Sequence, residues 1–225
     1  MRKLGLFCGT FNPIHSGHLL IAQCPQDQFN LDRVFFVVSP NPPHRQDQGL
    51  LEAEARHKMA VAAVADNPKF EASRVELDRG GLSYTIDTVE HFKSLYPGAK
   101  ISLIIGGDNV KYLKDWHRAE ELFKNCHFLV APRLVSSPKQ ESSSEVSMKT
   151  LVKKETVALK GSQMSVIDFP GIAISASYIR GRLKHKQTVL YMVPTAVNTI
   201  LLENNYYADK NAQAEAKLVE TSNQD

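Results

Sequence analysis

Leu4-Gly5-Leu6-Phe7-Cys8, followed at once by Gly9-Thr10-Phe11-Asn12-Pro13-Ile14-His15-Ser16-Gly17-His18, sets a short apolar run against a loop of glycine, proline and histidine. A run this short, and apolar throughout, suits a strand covered on both faces, as strands of a parallel sheet are. Runs of the same kind return at Val34 to Val38, Ile101 to Ile105 and His127 to Ala131. Helical patterns lie between them. Leu51 to Ala65 carries apolar residues at helical spacing, Thr85 to Leu95 places Ile86, Val89 and Phe92 on one side, and Ala119, Leu122 and Phe123 follow Trp116 similarly. Alternating strand and helix predict an α/β fold: a doubly wound, Rossmann-like, mostly parallel sheet with helices on both faces.

The 225 residues are enough for one well-buried domain, expected over 1–208. Between Arg133 and Gly161 the composition turns to serine, lysine and glutamate, which reads as a surface excursion over 134–165, partly helical in its later half. The chain then returns at Val166 to Phe169, and the polar segment 209–225 reads as a disordered tail. A net charge of +3 is too small to suggest a nucleic-acid partner. No apolar run approaches the ~18–20 residues that cross a bilayer, and no signal-peptide cleavage site follows Met1-Arg2-Lys3. Cys8, Cys24 and Cys126, odd in number and far apart, read as reduced thiols of a cytoplasmic protein rather than a disulfide frame.

In a doubly wound sheet, ligands bind beyond the carboxyl ends of the strands, where the segment from Gly9 to His18 falls. Gly9 lets backbone approach a ligand, Pro13 stiffens the loop, and Gly17 permits close contact where helix amides favour phosphate. His15 and His18, three apart, share a face of the first helical turn and can donate hydrogen bonds and, when protonated, charge to an anion. A capped strand–turn–helix with incidental histidines is the bland alternative, and two histidines, two glycines and a proline at one strand end argue against it. A zinc site of Cys8, His15 and His18 lacks a fourth ligand and the usual spacing. The sequence has no G-x-x-x-x-G-K-[ST], and the loop does not fit G-x-G-x-x-G.

Gly-Thr-Phe-x-Pro-x-His-x-Gly-His resembles the signature of the HxGH nucleotidyltransferases, and this version is most similar to bacterial nicotinate-nucleotide adenylyltransferases. That family usually carries Asp where this chain has Asn12 and often Gly where it has Cys8, and Pro25 falls inside a longer family helix, so a kink or early end is expected there. A second stretch, Ile174-Ser175-Ala176-Ser177-Tyr178-Ile179-Arg180, offers Ser177 as a helix N-cap candidate with Arg180 one turn in. It is similar to the family's second signature, whose Ser/Thr and Arg bind the β- and γ-phosphates of ATP.

The resemblance extends over nearly the whole chain before the tail. It implies that His15, His18 and Arg180 are catalytic, and that Gly9, Thr10, Phe11, Gly17, Arg45, Gly106, Asp108 and Ser177 bind ATP, Asp108 through a ribose hydroxyl. His44, Tyr84, Thr85 and Trp116 would take the mononucleotide, with Trp116 stacking on the pyridine ring; a core anchor is the alternative for this sole tryptophan. The implied reaction joins ATP and nicotinate mononucleotide into deamido-NAD and pyrophosphate, in NAD biosynthesis. Mg²⁺ would accompany ATP on phosphates and waters rather than in a protein cage. Nicotinamide-mononucleotide or phosphopantetheine adenylyltransferase, and a non-enzymatic nucleotide sensor, are the rival readings, and the sequence leaves a homo-oligomer open.

Overall fold

A computed structural model describes residues 1–43, 49–132 and 163–209. Six strands form one sheet in the order β3-β2-β1-β4-β5-β6, and every neighbouring pair is parallel. These are β1 (Lys3–Gly9), β2 (Arg33–Val38), β3 (Phe70–Ser73), β4 (Lys100–Gly106), β5 (Cys126–Ala131) and β6 (Gln163–Val166). Sheet order reverses between β1 and β4, which makes the carboxyl ends of those two strands the place for a ligand.

Side chains along each strand alternate between two apolar layers. Val34, Phe36 and Val38 of β2 join Phe7, Ile104 and Leu129 on one face. There they meet α1 (Ser16–Gln28), α2 (Ala53–Val64), α6 (Ala176–Lys184) and α7 (Thr195–Glu203) through Ala22, Met59, Ile179 and Val197. Phe35 and Val37 point the other way with Leu4, Leu6, Leu103 and Phe128. That face packs on α3 (Val75–Arg79), α4 (Thr85–Leu95) and α5 (Ala119–Asn125) through Val75, Ile86, Phe92 and Leu122. Two-sided burial is why the four inner strands are predominantly apolar, with Ser102 of β4 and His127 of β5 the polar residues inside them.

Three expectations change. Strand β6 covers Gln163–Val166 rather than Val166 to Phe169, so it begins inside the span assigned to a surface excursion. Beyond it Ile167 is buried, Phe169 half-buried and Asp168 exposed, and of these only the Ile167 amide reaches the neighbouring strand, donating to Val130 O at 2.9 Å. Pro25 neither ends nor replaces α1, which continues to Gln28 and is closed by the Phe29 amide donating to Pro25 O at 3.0 Å. Strand β3 and the short α3 carry no apolar run and were not expected. The helical half of the excursion and the tail beyond Asp209 lie outside the described residues.

Candidate active site

The loop from Gly9 to His15 leaves β1 at the reversal point of the sheet. Phe11 takes a left-handed φ of 45° and is 2% exposed, its ring edge-on to Phe7 at 5.4 Å and to His18 at 5.1 Å. A Cβ at Gly9 would stand 3.2 Å from that ring, so Gly9 makes room for Phe11 rather than for a ligand, as the sequence reading has it. At Gly17 a Cβ would stand 3.0 Å from the His15 ring and 3.1 Å from Ile172. The close contact permitted there is with the fold's own histidine. The Ser16 amide donates to Met192 O at 2.9 Å, so one N–H expected to face phosphate is already engaged.

His15 is the N-cap of α1 and its backbone N–H donates to His18 Nδ1 at 3.2 Å. The two rings stack with centroids 3.7 Å apart and planes 28° from parallel. Because Nδ1 of His18 accepts, the neutral ring carries its proton on Nε2 and presents a donor there. His15 Nδ1 is buried with no hydrogen-bond partner among the described residues. Burial pushes the His15 pKa down to about 4; His18 is held well below the usual value by burial and then by His15. Near pH 7 the resting site therefore offers two neutral imidazoles, without the charge that the sequence alone allowed them.

Helix α6 supplies the second half of the site. Its N-cap is Ser175, whose Oγ accepts from the Tyr178 amide at 3.2 Å; this corrects the reading of Ser177 as cap. Ser175 is in extended backbone, as a cap requires, whereas Ser177 already lies within the helix. There its hydroxyl accepts from Arg180 Nη2 at 3.3 Å. Arg180 Nη1 donates to the backbone oxygen of Asn12 at 2.8 Å. Two motifs 168 positions apart thus meet in one bond.

On the neighbouring strand, Gly106 closes β4 and a 3₁₀ helix runs over Gly107–Asp115, with Asp108 exposed in its first turn. The buried Ser83 pairs with Asn41 through two bonds, Ser83 N–H to Asn41 O at 3.1 Å and Asn41 N–H to Ser83 Oγ at 3.4 Å, tying the exit of β2 to the start of α4. Tyr84 caps α4 without a side-chain hydrogen bond, leaving first-turn amides from Thr85 onward without intrahelical partners. The Tyr84 ring stacks on His117 at 4.2 Å, which brings Trp116 to the mouth of that helix. Trp116 is half-buried and packs on the adjoining apolar cluster, so its ring is anchored on one side and open on another. His44 and Arg45 lie outside the described residues.

Two residues outside the sequence motifs brace the loop. Arg56 of α2 is 1% exposed and donates to Thr10 O at 2.6 Å, Leu51 O at 2.7 Å and Ser39 O at 2.9 Å. Tyr207, beyond α7, donates its hydroxyl to Asn12 Oδ1 at 2.5 Å. Arg56 could have been suspected as the charged member of the stripe Arg56, Met59, Ala60 and Ala63, all buried. Nothing local marks Tyr207.

A parallel sheet with a two-histidine loop and an arginine helix at its reversal point defines a nucleotidyltransferase, and a family model described as cytidylyltransferase-like matches residues 6–182. A probable nicotinate-nucleotide adenylyltransferase of Moorella thermoacetica is 35% identical over 208 residues, 91% of this chain and 91% of that protein. One from a Thermoanaerobacter species is 36% identical, covering 91% of this chain and 94% of its own. The chain belongs to the cytidylyltransferase-like family and, within it, to the nicotinate-nucleotide adenylyltransferases, nucleotidyltransferases of NAD biosynthesis. In fold it is similar to the Plasmodium falciparum nicotinic acid mononucleotide adenylyltransferase complexed with NaAD, at TM-score 0.69 and 18% identity, over 92% of this chain and 98% of that one. Among the described residues, no helix is long and apolar enough to cross a membrane.

Proposed function

We propose that the chain joins the AMP moiety of ATP to the phosphate of nicotinate mononucleotide, releasing pyrophosphate and forming deamido-NAD. The observation that carries this reading is the bond from Arg180 to Asn12 O, which ties the arginine helix to the loop that ends in the stacked His15–His18 pair. The attacking group is a phosphate monoester, largely dianionic near pH 7 because its second pKa is ~6. It needs no general base, so neutral imidazoles suit the task as donors. His18 Nε2–H, His15, the free N–H groups of Arg180, the Ser177 hydroxyl and the Thr10 and Phe11 amides serve the triphosphate. They align it for in-line attack at the α-phosphorus and stabilise charge on the leaving pyrophosphate.

Gly106 and Asp108 take the adenosine ribose. Tyr84, Thr85, Trp116 and His44 receive the mononucleotide, and Arg45 binds ATP; His44 and Arg45 are assigned on family resemblance alone. Imidazole, guanidinium, hydroxyl and amide donors match phosphate oxygens rather than a cation, so Mg²⁺ enters as part of MgATP, on phosphates and waters. Three free cysteines accord with a reducing cytoplasm, where both nucleotides would be met.

Pyrophosphate release from MgATP, with nicotinate mononucleotide, nicotinamide mononucleotide or phosphopantetheine as sole acceptor, tests the reading. Release should be at least ~10-fold faster with the nicotinate, because an amide cannot match a carboxylate at helix amides. A preference for either other acceptor reassigns the substrate, and no release with any of them sinks the proposal.

A further inference from the structure

We propose that Tyr207 is a positioning residue of the phosphate site, holding the β1–α1 loop through Asn12, so that the segment after α7 is a working part of the adenylyl-transfer machinery. The inference rests on the reading above.

The observation is an Asn12 whose side-chain oxygen accepts two hydrogen bonds and whose amide donates a third. Its Oδ1 accepts from the Tyr207 hydroxyl at 2.5 Å and from the Leu51 amide at 3.2 Å, and its Nδ2 donates to Gly49 O at 3.4 Å. Asn12 is 6% exposed, and its backbone oxygen is the one that Arg180 holds. Whatever fixes Asn12 therefore fixes the peptide on which the arginine is braced and, three residues on, the histidine cap of α1. Of these partners, Tyr207 alone comes from the far end of the chain, 195 positions away.

Its placement is costly to the backbone. The chain leaves α7 through Asn205 and Tyr207, both left-handed, with φ of 49° and 65°. That conformation is unfavourable for residues bearing a Cβ, and persists where surrounding contacts over-determine it. The Tyr206 amide donates to Leu201 O at 3.1 Å and the Ala208 amide to Asn205 O at 3.3 Å, and the turn packs both Tyr206 and Tyr207 against the apolar layer. The Tyr207 ring packs against the apolar layer shared by α1, α2, α6 and α7. Burial raises its pKa, while Arg180 and Arg56 nearby act to lower it. The phenol remains protonated over the working range and stays a donor to Asn12.

Tyr207→Phe keeps the ring and deletes the bond. It should lower kcat about tenfold and weaken MgATP about fivefold, the size of one partly buried hydrogen bond to a positioned group, while KM for the mononucleotide stays within about twofold. The same change made in Asn12→Ala should add less than about twofold, since its route of action is already gone. Equilibrium binding of MgATP without acceptor, across wild type, both single variants and the double, reads this pattern whether or not turnover occurs. Absence of pyrophosphate release by the wild type would then fault the reaction assigned above and leave the binding cycle to decide the role of Tyr207. Tyr207→Phe binding and turning over within about twofold of wild type overturns the inference. So does an equal effect with and without Asn12, which would make the hydroxyl a fold contact only.

Discussion

His15 pushes its imidazole into a nearly closed space, 5% exposed, where burial lowers its pKa to about 4. Between roughly pH 4 and 6.5 the unfolded chain holds a proton on this ring that the folded chain refuses, so stability must rise with pH across that window. The contribution is complete above about pH 6.5 and is lost as pH falls toward 4, and its ceiling is on the order of 3 kcal/mol. Burial lowers His18, His57 and His127 too, with His15 a second cause at His18, so the slope is shared. His15→Asn, which cannot titrate there, should flatten the fall of the unfolding midpoint between pH 6.5 and 4 relative to wild type. Parallel curves for the two proteins would move the refused proton elsewhere. MgATP works against the same penalty, because a polyanion beside the ring favours its charged form.

Elements explain which parts of this fold the sequence discloses. Interior strands β1, β2, β4 and β5 are buried on both faces and read as predominantly apolar runs, broken only by Ser102 and His127 inside β4 and β5. Edge strands β3, Phe70-Glu71-Ala72-Ser73, and β6, Gln163-Met164-Ser165-Val166, are partly exposed along their length and mix polar with apolar residues. One was missed and the other placed three residues late, since the apolar run after it marks burial rather than pairing. The cap of α6 was misassigned within a Ser-x-Ser, because either serine fits the pattern and backbone conformation chooses. At the start of α1 the same limit applies to Gly17, whose room is taken by His15 and Ile172. Gly17→Ala should gain about 0.5–1 kcal/mol of helix propensity and lose ~1–3 kcal/mol to overpacking, leaving the folding midpoint between unchanged and roughly 10 °C lower. Turnover should nevertheless fall at least ~10-fold, because the methyl displaces the His15 ring by several tenths of an ångström. Normal turnover with a normal midpoint would mean that the stacked histidine pair has no geometric role in transfer.

Across the whole molecule the loop is braced by a buried cation that lies outside both sequence motifs, Arg56. Arg56 starts on α2 and reaches the exits of β1 and β2 together, with four carbonyls on its fork: Thr10, Ser39, Leu51 and, at 3.5 Å, Pro40. Burial lowers its pKa, with Tyr207 and Glu52 opposing, and guanidinium still remains charged in proteins. Four neutral oxygens therefore solvate a buried charge that has no ion-pair partner among the described residues. Such a residue was half legible: its helical register puts it on the buried stripe with Met59 and Ala60, but which carbonyls await it depends on loops that only the folded sheet brings together. Arg56→Lys keeps the charge and loses the planar fork, and three ammonium donors leave at least one of the four carbonyls unmet. The cost should be about 2–4 kcal/mol, or roughly 5–15 °C in the unfolding midpoint of a chain this size. Thr10 belongs to the phosphate loop, so the weakened brace should also raise KM for MgATP more than KM for the mononucleotide. A loss of stability with both Michaelis constants unchanged would confine Arg56 to the scaffold and leave the loop held by Tyr207 and Arg180.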